Sequence, residues 1–200
     1  MSAATSSNRT DARAMLGRIV DERWLEARAI VGFFPAHATA KDDIVISPVE
    51  STGILVNKPV MFHTLRQQMD RSGRERYNLS LSDYIAPVDA GVTDYVGAFA
   101  VTTGIGIEDK VVQFEQDADD YSAIMLKALA DRLAEALAER MHERVRQEFW
   151  GYSPDEALSN ELLISERYRG IRPAPGYPAC PDHTGKATLW ELLQPEKSIG

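Results

Sequence analysis

The sequence predicts an α+β fold built on an antiparallel sheet, and three observations carry that prediction. Strand-like runs follow one another too closely for the helical crossovers that parallel pairing needs. The run Asp94-Tyr95-Val96-Gly97-Ala98-Phe99-Ala100-Val101-Thr102-Thr103 is the strongest of them, flanked by Gly91 and by Gly104-Ile105-Gly106. The longest helical pattern then covers residues 119–150. There Leu126, Leu129, Leu133, Leu137, Arg140 and Val145 trace one mostly apolar stripe among good helix formers.

The remaining elements follow in chain order. Ala14, Met15, Ile19, Leu25 and Ala29 recur by threes and fours and predict a helix over residues 10–29. The nine residues before it lack an apolar centre and read as a frayed start. Ala29-Ile30-Val31-Gly32-Phe33-Phe34 reads as a buried strand stopped by Pro35. Lys41-Asp42-Asp43 turns the chain into a second strand, Ile44-Val45-Ile46, ended by Ser47-Pro48. Leu65, Gln68 and Met69 suggest a short helix over residues 61–71, closed near Ser72-Gly73. Residues 78–85 show partial alternation, and residues 107–114 a helix. Tyr152-Ser153-Pro154 breaks the long helix, and residues 159–168 read as a shorter one with Ser159 as N-cap. Residues 170–183 hold four prolines in fourteen positions, which excludes regular helix and central strand.

Composition narrows the function. A chain of 200 residues is one domain or two small ones, and 44% hydrophobic residues suffice for a core. With 22 Lys and Arg against 30 Asp and Glu, the net charge of −8 argues against nucleic acid and suits a cationic small molecule or a basic partner. No apolar run reaches the length of a membrane span. The single cysteine, Cys180, excludes an intramolecular disulfide, so a cytoplasmic location is expected.

Few residues stand out for chemistry. Prolines stiffen residues 170–183, which would hold Arg172 and Tyr177 in place at little entropic cost on binding. The arginine offers a planar fork to a carboxylate, the tyrosine a ring face to a base or cation. A purely structural surface loop fits the same composition. Cys180, Asp182 and His183 allow half a metal site or a thiol–base pair, but His37, His63 and His142 lack ligand spacing, so no metal is expected. Asp131, Glu135, Glu139 and His142 share a helix face. That face reads either as solvated or as a groove wall where Glu135 or Asp131 meets a cation. Thr103-Gly104-Ile105-Gly106 fails the dinucleotide fingerprint, because Asp109 stands where its last glycine would be, and reads as a turn.

Several stretches in collinear order go further. They include Val31-Gly32-Phe33-Phe34-Pro35-Ala36, Leu65-Arg66-Gln67-Gln68, Leu81-Ser82-Asp83-Tyr84-Ile85-Ala86-Pro87 and the strand from Asp94. Asp119-Asp120-Tyr121, Ala128-Leu129-Ala130-Asp131-Arg132-Leu133-Ala134-Glu135-Ala136, His142-Glu143-Arg144-Val145-Arg146, Trp150-Gly151-Tyr152, Leu158-Ser159-Asn160-Glu161 and Gly170-Ile171-Arg172-Pro173-Ala174-Pro175-Gly176-Tyr177-Pro178-Ala179-Cys180-Pro181 add to them. Together, over residues 28–196, they closely resemble the activation domain of cobalamin-dependent methionine synthase, the module that binds S-adenosylmethionine.

The resemblance implies a C-shaped α+β domain with a twisted antiparallel sheet. It also implies a part in a methyltransferase that makes methionine from homocysteine and 5-methyltetrahydrofolate. Such a domain presents S-adenosylmethionine so that cob(II)alamin, held by a partner domain, is reductively remethylated with an electron from flavodoxin or another reductase. By this resemblance Arg172 contacts the methionyl end of the ligand, and Ala174 and Tyr177 line it. Glu135 stands near its amino group, and Asp131 meets a histidine of the cobalamin-binding domain. No residue receives a catalytic role, Cys180 and His183 included. The expected organisation is a helical lead-in with a poorly ordered start over residues 1–27 and an activation-like domain over 28–200. That domain is expected to be truncated at both ends. The family's upstream aspartate-containing segment and its downstream Ser-Gly-Trp-Tyr-Phe-like segment have no counterpart in the sequence. A non-catalytic docking module for flavodoxin or a separate cobalamin domain, or an incomplete fragment, is the alternative.

Overall fold

Alternation of apolar side chains organises the sheet. In the structure, a computed structural model that describes residues 3–51, 54–70 and 77–200, helix α1 (Ala3–Asp21) leads into β1 (Glu26–Ala38) and β2 (Asp43–Ile46). Strands β3 (Val49–Ser51), β4 (Ile54–Val56), β5 (Val60–His63) and β6 (Asp94–Ile105) follow. The chain continues through α2 (Ile107–Gln116), α3 (Asp120–Arg144), a π-helical turn (Val145–Phe149), α4 (Asn160–Ile164), α5 (Gly185–Leu193) and α6 (Pro195–Ser198). One sheet has the order β5-β2-β1-β6 and a second pairs β3 with β4. The pairings β1–β2 and β2–β5 are antiparallel, with Ala36 opposite Ile46 and Ile44 opposite Phe62. The α+β class with an antiparallel open sheet and one long helix is thus the fold that the sequence predicts.

Contacts divide the chain into two units. The first holds Met1–Ala29, Val101–Arg169 and Ile199–Gly200; the second holds Ile30–Ala100 and Gly170–Ser198.

In the second unit, Phe34, Ala36 and Ala38 of β1, Ile44 and Ile46 of β2, and Val60 and Phe62 of β5 are buried at period two. Val56, Ala98, Cys180, Leu192 and Leu193 join that core. One face of the sheet is therefore packed while Met61 and His63 on β5 stay exposed. Strand β1 runs through Pro35 instead of stopping there. The Pro35 carbonyl still accepts the Ser47 amide at 2.8 Å, and the donor that proline lacks is lost only where β2 has already ended.

Two other segments depart from expectation. The helix expected from residue 61 is not formed in its described part, because residues 60–63 pair with β2. Beyond them the Gln67 amide bonds the Leu79 carbonyl, so tertiary pairing overrides the helical spacing. Arg71 and Ser72-Gly73 lie outside the described residues. The alternating residues 78–85 hold a 3₁₀ turn at Leu81–Tyr84, opened by Ser80, whose amide donates to the Asp83 carboxylate at 2.9 Å.

In the first unit, Met15, Ile19, Trp24, Val111, Phe114, Ala123 and Leu126 form a second core. Helix α1 starts at Ala3, inside the stretch read as a frayed start, of which Met1 and Ser2 lie outside the described residues. It ends at Asp21 rather than near residue 29, since Arg23 takes a left-handed φ of 54° and the next residues enter β1. Trp24 meets Phe114 edge-on at 5.9 Å, with Arg18 and Lys110 over its ring and its indole N–H on Glu22. Gly106, at φ 92°, turns β6 into α2; a Cβ there would meet the Trp24 carbonyl at 2.9 Å. Asp119 opens α3 by accepting the Ser122 amide. Along α3, Leu126 is buried, Leu129, Leu133 and Leu137 are half-buried and Arg140 is exposed, and Val145, at the start of the π-helical turn, is buried. Helix α4 is shorter than expected, with Ser159 at its N-cap position.

Candidate functional site

The proline-rich stretch folds into two successive tight turns. The Tyr177 amide donates to the Ala174 carbonyl at 2.9 Å and the Cys180 amide to the Tyr177 carbonyl at 2.9 Å. The Gly176 amide closes the loop on the Cys180 carbonyl at 2.8 Å, and Tyr177 pairs with Cys180 in an antiparallel bridge. Pro173 and Pro175 preset the backbone between them, and Gly176 takes a φ of 104° that other residues avoid. Cys180, 4% exposed, sinks into the core of the second unit and anchors the loop. Arg172 and Ala174 are half-buried, while the Tyr177 ring is 59% exposed. Arg172, Ala174 and Tyr177 thus share one stiff loop, with an aromatic face presented outward.

The acidic residues sit in the first unit, on α3. Asp131 and Glu135 are exposed and one helical turn apart. Glu135 bonds Arg132 at 2.7 Å, with both side chains largely exposed. Glu139 is half-buried and His142 buried, so the face shared by Asp131, Glu135, Glu139 and His142 is exposed at its start and passes into the interior toward its C-terminal end.

Burial settles the thiol. It pushes the Cys180 thiol up from its ordinary range, with Asp182 adding to the effect, and so disfavours the nucleophilic thiolate. The Asp182 carboxylate is held low by the Thr184 amide and hydroxyl, at 2.8 and 2.7 Å. It serves as a turn-former beside α5. Among the described residues no group of three or more His, Cys, Asp or Glu could hold a metal ion.

The family described as vitamin B12 dependent methionine synthase, activation domain, matches residues 2–200. The chain belongs to that activation-domain family. A crystal structure of the MetH reactivation domain bound to AdoHcy is similar to it, with 51% sequence identity and a TM-score of 0.81. That match covers 96% of this chain, and this chain spans 57% of the length of the solved one.

Membership of the activation-domain family bears out the resemblance carried by the collinear motifs, and one of them, His142-Glu143-Arg144-Val145-Arg146, holds part of a buried charged cluster to which the sequence assigned no role. Arg146, in the π-helical turn, is fully buried. It bonds Glu156 through Nε and Nη2 and donates from Nη1 to His142 Nδ1 at 2.6 Å. Its guanidinium lies 4.4 Å above the Tyr168 ring, and His142 meets that ring edge-on at 4.7 Å. A second cluster, on the other unit, joins Arg66 to Asp42 and Asp83. Reading by residue type missed both. Each links a charge to a partner ten or more positions away, and helical spacing does not report such pairs.

Proposed function

We propose that the chain binds S-adenosylmethionine and serves as the activation module of cobalamin-dependent methionine synthase. The observation that carries this reading is the closed loop that fixes Arg172, Ala174 and Tyr177, in a chain 51% identical to a domain solved with AdoHcy. The donor set suits the ligand. The Arg172 guanidinium offers paired N–H groups to a carboxylate. The exposed Tyr177 ring offers a face to a purine or to a sulfonium cation. The Ala174 backbone, locked by its bond from Tyr177, lines the same loop. When bound, S-adenosylmethionine supplies an electrophilic methyl group. The chain's own residues bind and orient, and orientation is a large share of rate acceleration in group transfer.

Glu135 is proposed for the ligand's amino group and Asp131 for a contact with a separate cobalamin-binding domain, a reading that family likeness supports. Cobalamin is held there, and this chain supplies no ligand to it. Flavodoxin or another reductase is the proposed electron source, and the cytoplasm the proposed compartment. No helix among the described residues is long and apolar enough to cross a membrane.

Calorimetric titration of the chain with S-adenosylmethionine and with AdoHcy tests the reading. Saturable binding of both, weakened by Arg172→Ala, is expected. Binding indifferent to that change would overturn the site, and absence of binding to either ligand would overturn the function.

A further inference from the structure

We propose that His183 is a positioning residue for the ligand loop, an inference that rests on the S-adenosylmethionine reading. The decisive geometry is at Gly176. A Cβ built there would lie 2.5 Å from His183 Cε1, 2.8 Å from Nε2 and 3.3 Å from Nδ1. Three ring atoms converge on one point, so the imidazole packs directly against the glycine backbone and occupies the space of a side chain. Gly176 stands between the two loop residues that line the ligand, Ala174 and Tyr177. Its own amide closes the loop on Cys180. Any shift of Gly176 therefore moves the Tyr177 ring and the Ala174 carbonyl together.

His183 is an exposed residue, and the backbone that carries its ring is itself held. Asp182 fixes Thr184 through amide and hydroxyl, and the His183 carbonyl accepts the Lys186 amide at 3.2 Å in the first turn of α5. Gly185 is pressed against the Phe62 ring, where a Cβ would meet Cε2 at 2.9 Å. The chain of support runs from Phe62 on the buried face of β5, through the start of α5, to the His183 ring and then to Gly176. A ring carried on a backbone held in this way and packed on Gly176 limits the conformations open to the loop before a ligand arrives, which reduces the ordering cost of binding.

Two readouts separate this role from a general structural one. The first is amide hydrogen exchange by NMR at Gly176, Tyr177 and Cys180, which needs no ligand. The second is AdoHcy affinity by calorimetry. In His183→Ala, exchange at those loop amides is expected to rise about tenfold while Ile44 and Ile46 in β2 keep their protection. AdoHcy affinity is expected to fall about tenfold with little change in melting temperature. His183→Phe, which keeps a ring against Gly176, is expected to restore both.

Gly176→Ala introduces the clash from the loop side, so Gly176→Ala with His183→Ala is expected to bind AdoHcy more tightly than Gly176→Ala alone. If His183→Ala does not fold, His183→Leu, which keeps bulk but removes the ring from Gly176, takes its place with the same two readouts and the same expected direction. Unchanged loop protection and affinity in His183→Ala would overturn the proposal, as would failure of the Phe variant to rescue or a fall in protection with affinity intact. If the wild-type chain binds neither ligand, the function fails, and a loss of loop protection in His183→Ala would still support the packing role. Unchanged protection would then end that role too.

Discussion

Arg146 grips Glu156 with Nε and Nη2 at 2.6 to 3.0 Å, and both side chains lie in the interior, 0% and 8% exposed. Because an arginine donates and never accepts, its 2.6 Å contact with His142 makes Nδ1 of that imidazole the acceptor. The pair ties the π-helical turn to residue 156, and the Gln147 side chain adds a bond to the Glu156 carbonyl.

Glu156→Ala leaves a buried guanidinium without its counter-charge. The expected cost is about 3–5 kcal/mol, far above a surface pair. Replacing both partners, Arg146→Met with Glu156→Leu, is expected to recover most of that loss, since neither charge then has to be desolvated. Urea midpoints of the two variants check this. Equal destabilisation of the single and double variants would show that packing, and not the uncompensated charge, dominates.

If Arg172 meets the ligand's carboxylate as proposed, Arg172→Ala removes a charge-assisted contact and is expected to weaken AdoHcy binding by about 1.5–3 kcal/mol. Arg172→Lys keeps the charge but loses the planar fork, so it is expected to recover only part of that affinity. Calorimetric titration of the three proteins measures both differences. A lysine variant as tight as wild type would mean that a point charge suffices.

Legibility in the sequence followed the range of the interactions. Strand β6 was readable because its flanking glycines and β-branched residues act locally, and α3 because its leucines repeat with the helical period. Residues 61–63 were not, since Met61, Leu65 and Met69 share a helical spacing that only pairing with β2 overrides. Residue type does not separate Arg146 from Arg140 and Arg144, yet those two make exposed pairs with Glu143 and Glu148 while Arg146 turns inward. In the candidate site, the stiffness of residues 170–183 could be read from prolines alone, but a ligand for Arg172 and Tyr177 came only from family likeness. The contact of His183 with Gly176 spans seven residues of loop and carries no spacing signal.

Glu135 separates ligand binding from stability. Its bond to Arg132 is an exposed i,i+3 pair worth at most about 1 kcal/mol, so Glu135→Gln is expected to leave the melting temperature nearly unchanged. If the carboxylate meets the ligand's ammonium, the same variant weakens both S-adenosylmethionine and AdoHcy by roughly tenfold or more. Titration beside thermal denaturation checks the split, and an unchanged affinity would return Glu135 to the solvated face.

Asp83 predicts the acid limit of the second unit. Its carboxylate accepts two bonds from Arg66 at 2.7 Å and one from the Ser80 amide, and the Arg66 contact foremost holds it below the usual carboxylate range, against a smaller opposing effect of burial. Arg66 in turn forks onto Asp42, so the three side chains join the β1–β2 turn to residues 66 and 83. A depressed carboxylate binds fewer protons folded than unfolded, so stability rises with pH across its titration. Its contribution is complete above the unfolded value of about 3.9 and is lost as the pH falls through the lower folded one. Asp83→Asn is therefore expected to flatten the fall in melting temperature below about pH 4. At neutral pH it should cost less than about 1 kcal/mol, because the group is a third exposed and screened. Added salt should narrow the gap between wild type and variant at neutral pH. Parallel melting-temperature curves for the two proteins down to about pH 3 would show that the Arg66 contact contributes nothing to acid stability.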